Sequence, residues 1–295
     1  MNTIEERISS VQSFMNYHNL DALYISGTDV HLGEYVSDRY RSREWITGFT
    51  GSAGTVIVTK DETHLWVDSR YYIQGALQVE NTPVILEKLG AEGVLDPFAW
   101  VQKNSSKIHR FAVDKSTLSV ASYRSLQSIL KNDSIEIVLL DDFLNELWKD
   151  RPANPFSPIV EMKVETAGIS RAKKIELIRK ELQRKGAEAT IISTLDDIAW
   201  ITNLRGGDLP YTPVFFSYLI ITSEKAILCT DLERFDDQLF TEVSKDMKIV
   251  PYTSFAENVK RIVSNCTSIF LSDNHTTMEL FEMVGEDISI MGGEN

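Results

Sequence analysis

The sequence has few cysteines and no excess of basic residues. Its two cysteines, Cys229 and Cys266, cannot build a disulfide framework or a close-spaced metal pair, so we expect small buried side chains. The formal net charge is -13, from 43 acidic and 30 basic residues. Because no cluster of lysine or arginine overrides this charge, nucleic acid and anionic membranes are poor candidates for partners.

Long apolar runs are also missing. The longest run, VFFSYLII at residues 214–221, is far shorter than the roughly 20 residues that a membrane-spanning helix needs. The first residues, MNTIEERISSV, contain two glutamates and lack the apolar core of a signal peptide. These features predict a cytoplasmic protein.

The chain contains an internal repeat. An amphipathic helix pattern over residues 4–15 precedes the apolar strand DALYIS at 21–26, and a second helix between Ser170 and Gly186 precedes EATIIS at 188–193. Further segments pair in the same order: WITGF at 45–49 with WITNL at 200–204, VIVT at 56–59 with LIIT at 219–222, and FAVDKST at 111–117 with FLSDNHT at 270–276.

The repeat predicts two domains of one fold. Each copy alternates helices with strands and contains a hairpin of two apolar strands, so we expect an α/β fold with a mixed sheet flanked by helices in each. The segment RPANPFSP, residues 151–158, holds three of the eight prolines and should form an ordered linker. We place domain I at residues 1–155 and domain II at residues 156–295.

The glycine-rich stretch WITGFTGSAGTVIVT, residues 45–59, is not a phosphate-binding loop. Its G-x-x-G-x-x-G spacing lacks the lysine of a P-loop, differs from a dinucleotide loop, and leads into a strand instead of a helix. Ser52 is not in the G-x-S-x-G context of a nucleophile. Since the second copy lacks Gly51 and Gly54, we expect these glycines to lie where another domain or subunit approaches the first domain.

Patterns for metal binding or acid–base catalysis are missing from the sequence. The five histidines are scattered and no H-E-x-x-H occurs. The adjacent pairs Asp141-Asp142 and Asp196-Asp197 direct their side chains apart, and Thr194 with Asp197 is typical of a helix start. We therefore predict neither catalytic nor metal-binding residues in this chain.

Two places leave alternatives open. In LWVDSRYY, Asp68 and Arg70 could form a structural ion pair, or Arg70 could aim its guanidinium at a carboxylate or carbonyl of a ligand. In and after NLRGGDLPYTP, Arg205 and Asp208 could form a surface ion pair. Aromatic residues there could line a peptide groove, although aromatics before a strand are usually core; they are Tyr211, Phe215, Phe216 and Tyr218.

Several long motifs resemble the cytosolic Xaa-Pro aminopeptidases, also called aminopeptidase P. The resemblance covers essentially the whole chain and implies two homologous creatinase N-terminal-like domains. In the family's long form a pita-bread catalytic domain follows, with the ligands of two metal ions, typically manganese, and these ligands have no counterpart in the 295 residues. The motifs are REWITGFTGSAGTVIV with LWVDSRYYIQ, LWKDRPANPFSP, and STLDDIAWITNLRGGDLPYTPVFFSYLIIT.

The resemblance also implies a function for a longer protein. A full-length relative removes the first residue from peptides with proline in the second position, using a hydroxide held between two metal ions. We expect the present domains to be non-catalytic, to shape substrate access, and to support a homo-oligomer such as a dimer. Their own C-terminal catalytic domain would be a partner, and the chain alone would be inactive and bind no metal. A stand-alone creatinase-like binding or scaffolding module is the alternative.

Arg70 is the residue that the resemblance assigns to substrate binding. The family's D-G-R-Y segment, whose arginine reaches the substrate cleft from the first domain, matches Asp68-Ser69-Arg70-Tyr71. Serine replaces the glycine here, which leaves the backbone setting of Arg70 open. We expect Arg70 to position substrate and not to transfer protons.

Overall fold

The computed structural model describes residues 3–285 and 288–293, and the chain divides into two compact units. Unit 1 comprises residues 1–29 and 38–153, and unit 2 comprises residues 30–37 and 154–295. The division after residue 153 falls in the proline-rich segment. The assignment of residues 30–37 to unit 2 has no counterpart in the sequence patterns.

Unit 1 is built on a six-stranded mixed sheet in the order β4-β3-β2-β1-β5-β6. Strands β1, β2 and β3 are antiparallel neighbours, and β4, β5 and β6 join as parallel strands. The strands are β1 (Ala22–Ile25), β2 (Thr55–Thr59), β3 (Thr63–Val67), β4 (Val84–Lys88), β5 (Arg110–Asp114) and β6 (Glu136–Leu140); the helices are α1 (Ile4–Tyr17), α2 (Ser42–Thr47), α3 (Tyr72–Val79), α4 (Pro97–Lys103), α5 (Val120–Leu130) and α6 (Leu144–Leu147).

Helix α1 follows from its sequence. Thr3 and Glu6 form a reciprocal capping box that satisfies two amides of the first turn. Ile8, Val11 and Met15 recur at helical spacing and are buried in one apolar cluster against the sheet.

Unit 2 repeats this architecture with strand order β12-β11-β10-β8-β13-β14 and the same pattern of parallel and antiparallel neighbours. A two-stranded sheet of β7 and β9 is added. The strands are β7 (Val160–Glu161), β8 (Ala189–Ile192), β9 (Leu204–Arg205), β10 (Tyr218–Thr222), β11 (Ala226–Cys229), β12 (Lys248–Val250), β13 (Ser268–Ser272) and β14 (Ser289–Gly293); the helices are α7 (Val164–Ala167), α8 (Arg171–Lys185), α9 (Leu195–Thr202), α10 (Asp237–Val243), α11 (Phe255–Val263) and α12 (Met278–Val284).

The predicted fold class is confirmed in both units. The hairpins β2–β3 and β10–β11 form from the paired apolar runs, and Ser170 caps α8, which ends at Gly186 in the left-handed conformation. Cys229 is buried, and burial raises the pKa of its thiol to about 12, whereas Cys266 is only partly buried. None of the described helices is long and apolar enough to cross a membrane.

The segment Val30–Ser37 joins unit 2 through His31. The centroid of its ring lies 4.9 Å from that of Phe216 and 4.7 Å from that of Tyr218. Nδ1 lies 2.8 Å from the carbonyl oxygen of Ser193, and Nε2 lies 3.1 Å from the hydroxyl of Tyr252. Desolvation by burial lowers the pKa of His31 to about 4, so the ring is neutral at pH 7.

Candidate functional site

Arg70 follows the end of β3 in a tight helical turn. The strand ends at Val67, and Asp68 begins a single 3₁₀ turn over Ser69–Tyr71 by accepting a hydrogen bond from the Arg70 amide at 3.0 Å. The turn, and not strand alternation, therefore brings the two side chains together. Ser69 is not among the residues with positive φ, so serine fits where the family has glycine.

Asp68 and Arg70 form a bidentate ion pair. Arg70 Nε donates to Oδ1 at 3.0 Å and Nη2 donates to Oδ2 at 2.8 Å. The hydrogen bond from Arg70 holds the pKa of the Asp68 carboxyl below its usual range. The Arg70 side chain nevertheless stays 63% exposed, so the pair fixes the guanidinium at the surface of unit 1.

A polar surface surrounds Arg70. The hydroxyls of Ser52 and Tyr71 lie 2.7 Å apart, and this bond lowers the pKa of Tyr71. On α3, Gln74 and Gln78 each donate to the hydroxyl of Thr50, at 3.1 and 2.9 Å. Their i, i+4 spacing could have placed them on one face of a helix, but not beside the glycine-rich loop. Hydrogen bonds thus join the loop to α3, which also exposes the apolar side chains of Ile73 and Leu77.

The two glycines of that loop are required by contacts inside unit 1. A Cβ on Gly51 would lie 2.2 Å from Cζ of Phe49, and a Cβ on Gly54 would lie 2.7 Å from the carbonyl oxygen of Trp66. The buried Arg43 donates to the carbonyl oxygens of both glycines, and burial lowers its pKa to about 10. The contacts that exclude a side chain at these glycines thus lie within unit 1, and the approach of another domain or subunit there stays a prediction.

In unit 2 the segment 206–217 is anchored by a buried ion pair. Arg234 Nη1 donates to the carboxylate of Asp208 at 2.8 and 2.9 Å, and both side chains are buried. Asp208 also accepts from the Ser157 hydroxyl and the Phe216 amide. The surface pair of Arg205 with Asp208, one of the alternatives that the sequence left open, does not form, because Asp208 faces inward to a residue 26 positions later.

The aromatic residues of this segment divide between core and surface. Phe215 and Phe216 are buried, as is usual before a strand. Tyr211 instead stands 94% exposed at a tight turn with φ of 66°, a conformation that side chains other than glycine and asparagine rarely adopt. Its ring meets that of Tyr35 at a centroid distance of 6.2 Å.

Across residues 3–285 and 288–293, no group of three or more His, Cys, Asp or Glu side chains could hold a metal ion. The donor set of a dinuclear site is therefore not offered by the described residues.

Thr194 begins α9 as expected, but its hydroxyl donates to Asp197 at 2.5 Å and does not cap a backbone amide. Asp197 thus has a local structural role at the start of this helix.

Both halves of the chain match the same description, the creatinase/prolidase N-terminal domain, at residues 7–147 and 150–294. The chain belongs to this domain family. Its relatives include Xaa-Pro aminopeptidases, which confirms the resemblance seen in the sequence.

Three similar proteins show how much of the chain is matched. The chain is 34% identical to a probable Xaa-Pro aminopeptidase P of Fusarium vanettenii, over 96% of this chain and 48% of the relative. It is 30% identical to Xaa-Pro aminopeptidase 1 of Dictyostelium discoideum, over 95% of this chain and 46% of the relative. A solved structure, the X-prolyl aminopeptidase of Caenorhabditis elegans, described as a cytosolic enzyme with a di-nuclear active site, matches with a TM-score of 0.93 at 25% identity over 100% of this chain and 50% of that one. The chain thus spans about half the length of these relatives.

Proposed function

We propose that residues 1–295 are the non-catalytic N-terminal domains of a metal-dependent Xaa-Pro aminopeptidase acting in the cytoplasm. The observation that carries this proposal is the match of both halves to creatinase/prolidase N-terminal domains, within peptidases of about twice the length. The whole enzyme would cleave after the first residue of peptides with proline in second position. These domains would restrict access to a catalytic domain holding two manganese ions and would support a homo-oligomer such as a dimer.

Arg70 is the proposed substrate-positioning residue of these domains. Its guanidinium is oriented by Asp68, remains largely exposed, and lies 5.3 Å from the ring centroid of Tyr71, whose hydroxyl bonds to Ser52 of the glycine-rich loop. A fixed guanidinium can hold a carboxylate or carbonyl of a peptide with two donors, which a lysine cannot reproduce. Its contribution would be orientation of the substrate.

Two experiments test the assignment. Purified 1–295 should neither bind manganese in calorimetry nor release the first residue of an X-Pro dipeptide, and metal-dependent release would refute the non-catalytic role. Reading the gene beyond residue 295 separates the enzyme from the alternative: several hundred further codons with metal ligands support the enzyme, whereas a stop codon there supports a stand-alone creatinase-like binding or scaffolding module.

For Arg70 the informative change is Arg70→Lys in the full-length enzyme, measured as kcat/KM on an X-Pro peptide. We expect a fall of roughly 10- to 100-fold, or about 1.4 to 2.8 kcal/mol of transition-state binding. Arg41→Lys is the matched control, since Arg41 is also half-exposed and paired with carboxylates, those of Asp38 and Glu44. Equal kcat/KM for both variants would remove Arg70 from the substrate site.

A further inference from the structure

The internal repeat places a tryptophan at the same point of both units. Trp45 lies on α2 of unit 1, and Trp200 lies on α9 of unit 2. Arg7 of α1 donates to the carbonyl oxygen of Trp45 at 2.8 Å, and Lys174 of α8 donates to that of Trp200 at 2.6 Å. Each cation also lies over the corresponding indole ring, at 5.9 and 4.2 Å from the centroid. The helix pairs α1–α2 and α8–α9 therefore meet in the same register.

In unit 1 the chain after β6 covers this tryptophan. We call residues 143–148, FLNELW, the cover segment; it contains α6. Trp148 stacks on Trp45 with centroids 5.5 Å apart and planes at 21°, and Phe143 lies 5.7 Å from Phe14 of α1. Leu144 is buried in the same apolar cluster. As a result Trp45 is only 4% exposed.

In unit 2 the equivalent surface is an open groove, and Trp200 is 52% exposed. The groove has a volume of about 410 Å³, within the range of binding pockets. Its floor contains Ile192 of β8 and Phe270 of β13, its walls are α8 and α9, and Leu182 and Ile201 contribute apolar side chains. In the described part of unit 2 no segment takes the place that the cover segment occupies in unit 1.

The rim of the groove carries charges of both signs, because Lys185 lines it together with the carboxylates of Glu181 and Asp197. Lys185, in the last turn of α8, lines the groove and holds its ammonium 4.3 Å from the ring centroid of Phe270. The cover segment of unit 1 is flanked by Asp141 and Asp142 on one side and by Lys149 and Asp150 on the other. Charges of both signs thus occur at the rim and at the ends of the cover segment, so they can pair at the surface while the apolar side chains supply the anchors.

We propose that the groove of unit 2 binds a short helical segment that carries tryptophan and leucine anchors and is supplied from outside residues 1–295. It would reproduce in unit 2 the contact of the cover segment with Trp45, in the helix-in-groove mode. A tryptophan side chain buries roughly 150–250 Å², which makes it a strong anchor for a short segment. This proposal rests on the comparison of the two units and not on the proposed peptidase function.

The test uses a fluorescein-labelled peptide with the sequence DDFLNELWKD, residues 141–150, titrated with purified 1–295 and followed by anisotropy. We expect saturable binding with Kd below about 1 mM. Trp200→Ala should weaken binding at least tenfold. Leu177→Ala is the matched control, because Leu177 is an exposed apolar residue of α8 that does not line the groove, and it should leave Kd unchanged.

A second measurement locates the contact. In ¹H–¹⁵N spectra the indole signal of Trp200, assigned by its loss in Trp200→Phe, should shift with unlabelled peptide while the other four indole signals stay in place. Lack of saturable binding up to 1 mM overturns the proposal, as does equal binding by a peptide with both leucines and the tryptophan replaced by serine. A Trp200 shift that depends on protein concentration without peptide would assign the groove to a second copy and also overturn it.

Discussion

The imidazole of His31 is fully buried among aromatic rings of unit 2, and this burial sets its charge state. Its pKa is about 4 in the folded chain, against 6.5 for an exposed histidine. Below pH 6.5 the unfolded chain therefore takes up a proton at His31 that the folded chain does not. The neutral ring makes its full contribution to the free energy of unfolding above pH 6.5, and this contribution is lost as the pH falls toward 4.

We expect His31→Gln to flatten the acid limb of the stability profile. The difference of 2.5 pH units corresponds to about 3 kcal/mol of the free energy of unfolding, which the native chain loses between pH 6.5 and 4. In the variant, glutamine does not titrate, so its contribution does not change with pH. Urea unfolding of both proteins at pH 7.5, 6 and 5 covers about 2 kcal/mol of this loss, and the other histidines and all carboxylates contribute equally to both. Parallel profiles over this range would contradict the buried neutral ring.

Gly51 gives a second prediction at the same scale. Gly51→Ala should lower the free energy of unfolding by about 1–3 kcal/mol, because its Cβ would meet the rings of Phe49 and Tyr71 at 2.2 and 2.8 Å. Gly207→Ala is the control, since its nearest neighbour would be Cβ of Ser157 at 3.7 Å, and its effect should stay within about 0.5 kcal/mol. If Gly51→Ala and the unsubstituted protein unfold at the same urea concentration, the loop can rearrange to accommodate a side chain, which contradicts this prediction.

Single residues were predictable where their partners are close in sequence. The pairing of Asp68 with Arg70 could be foreseen as one of two alternatives, and the structure contains the pair while leaving Arg70 exposed. The pair of Asp208 with Arg205 that the sequence suggested does not form, because the charge of Asp208 is balanced by Arg234, which a distant turn brings into the core. Spacing along the chain carries no information about such contacts.

At the scale of elements, the Asp208–Arg234 pair ties the linker to the segment that carries Tyr211. Besides binding Asp208, Arg234 donates to the carbonyl oxygens of Pro155 and Ser157, at 2.9 and 3.1 Å. Helices and hairpins were predictable because apolar periodicity is local, whereas this anchor joins three separate segments. A buried charge left without its partner is costly, so the anchor should be sensitive to single substitutions.

Arg234→Met should lower the free energy of unfolding by about 3–5 kcal/mol, because the carboxylate of Asp208 would remain buried without a cation. Arg184→Met removes an arginine from an exposed pair with Glu181 on α8 and should change stability by less than about 1 kcal/mol. The double variant Asp208→Asn with Arg234→Met should recover part of the loss. Similar effects of the two single arginine variants would argue against a structural anchor.

At the scale of the whole molecule, the repeat in the sequence was sufficient to predict two homologous α/β units. It could not predict that residues 30–37 belong to unit 2, because the segment has no periodic pattern and its contacts lie more than 150 residues away, such as that of His31 with Ser193. Unit 2 is therefore discontinuous in sequence. The imidazole ring of His31, from the first half of the sequence, packs against the aromatic residues Phe216, Tyr218 and Tyr252 of this unit.

A fragment of residues 154–295 should consequently be less stable than unit 2 in the intact chain and should regain stability when the missing segment is added. A peptide of residues 28–40 at 100 times its Kd would stabilise the fragment by about 2.7 kcal/mol through mass action. Thermal unfolding of the fragment with increasing peptide measures this gain, and the same peptide with His31→Ala should give little of it, since it lacks the ring and its bonds to Ser193 and Tyr252. A midpoint unaffected by the native peptide, or raised equally by both, would mean that unit 2 is complete without Val30–Ser37.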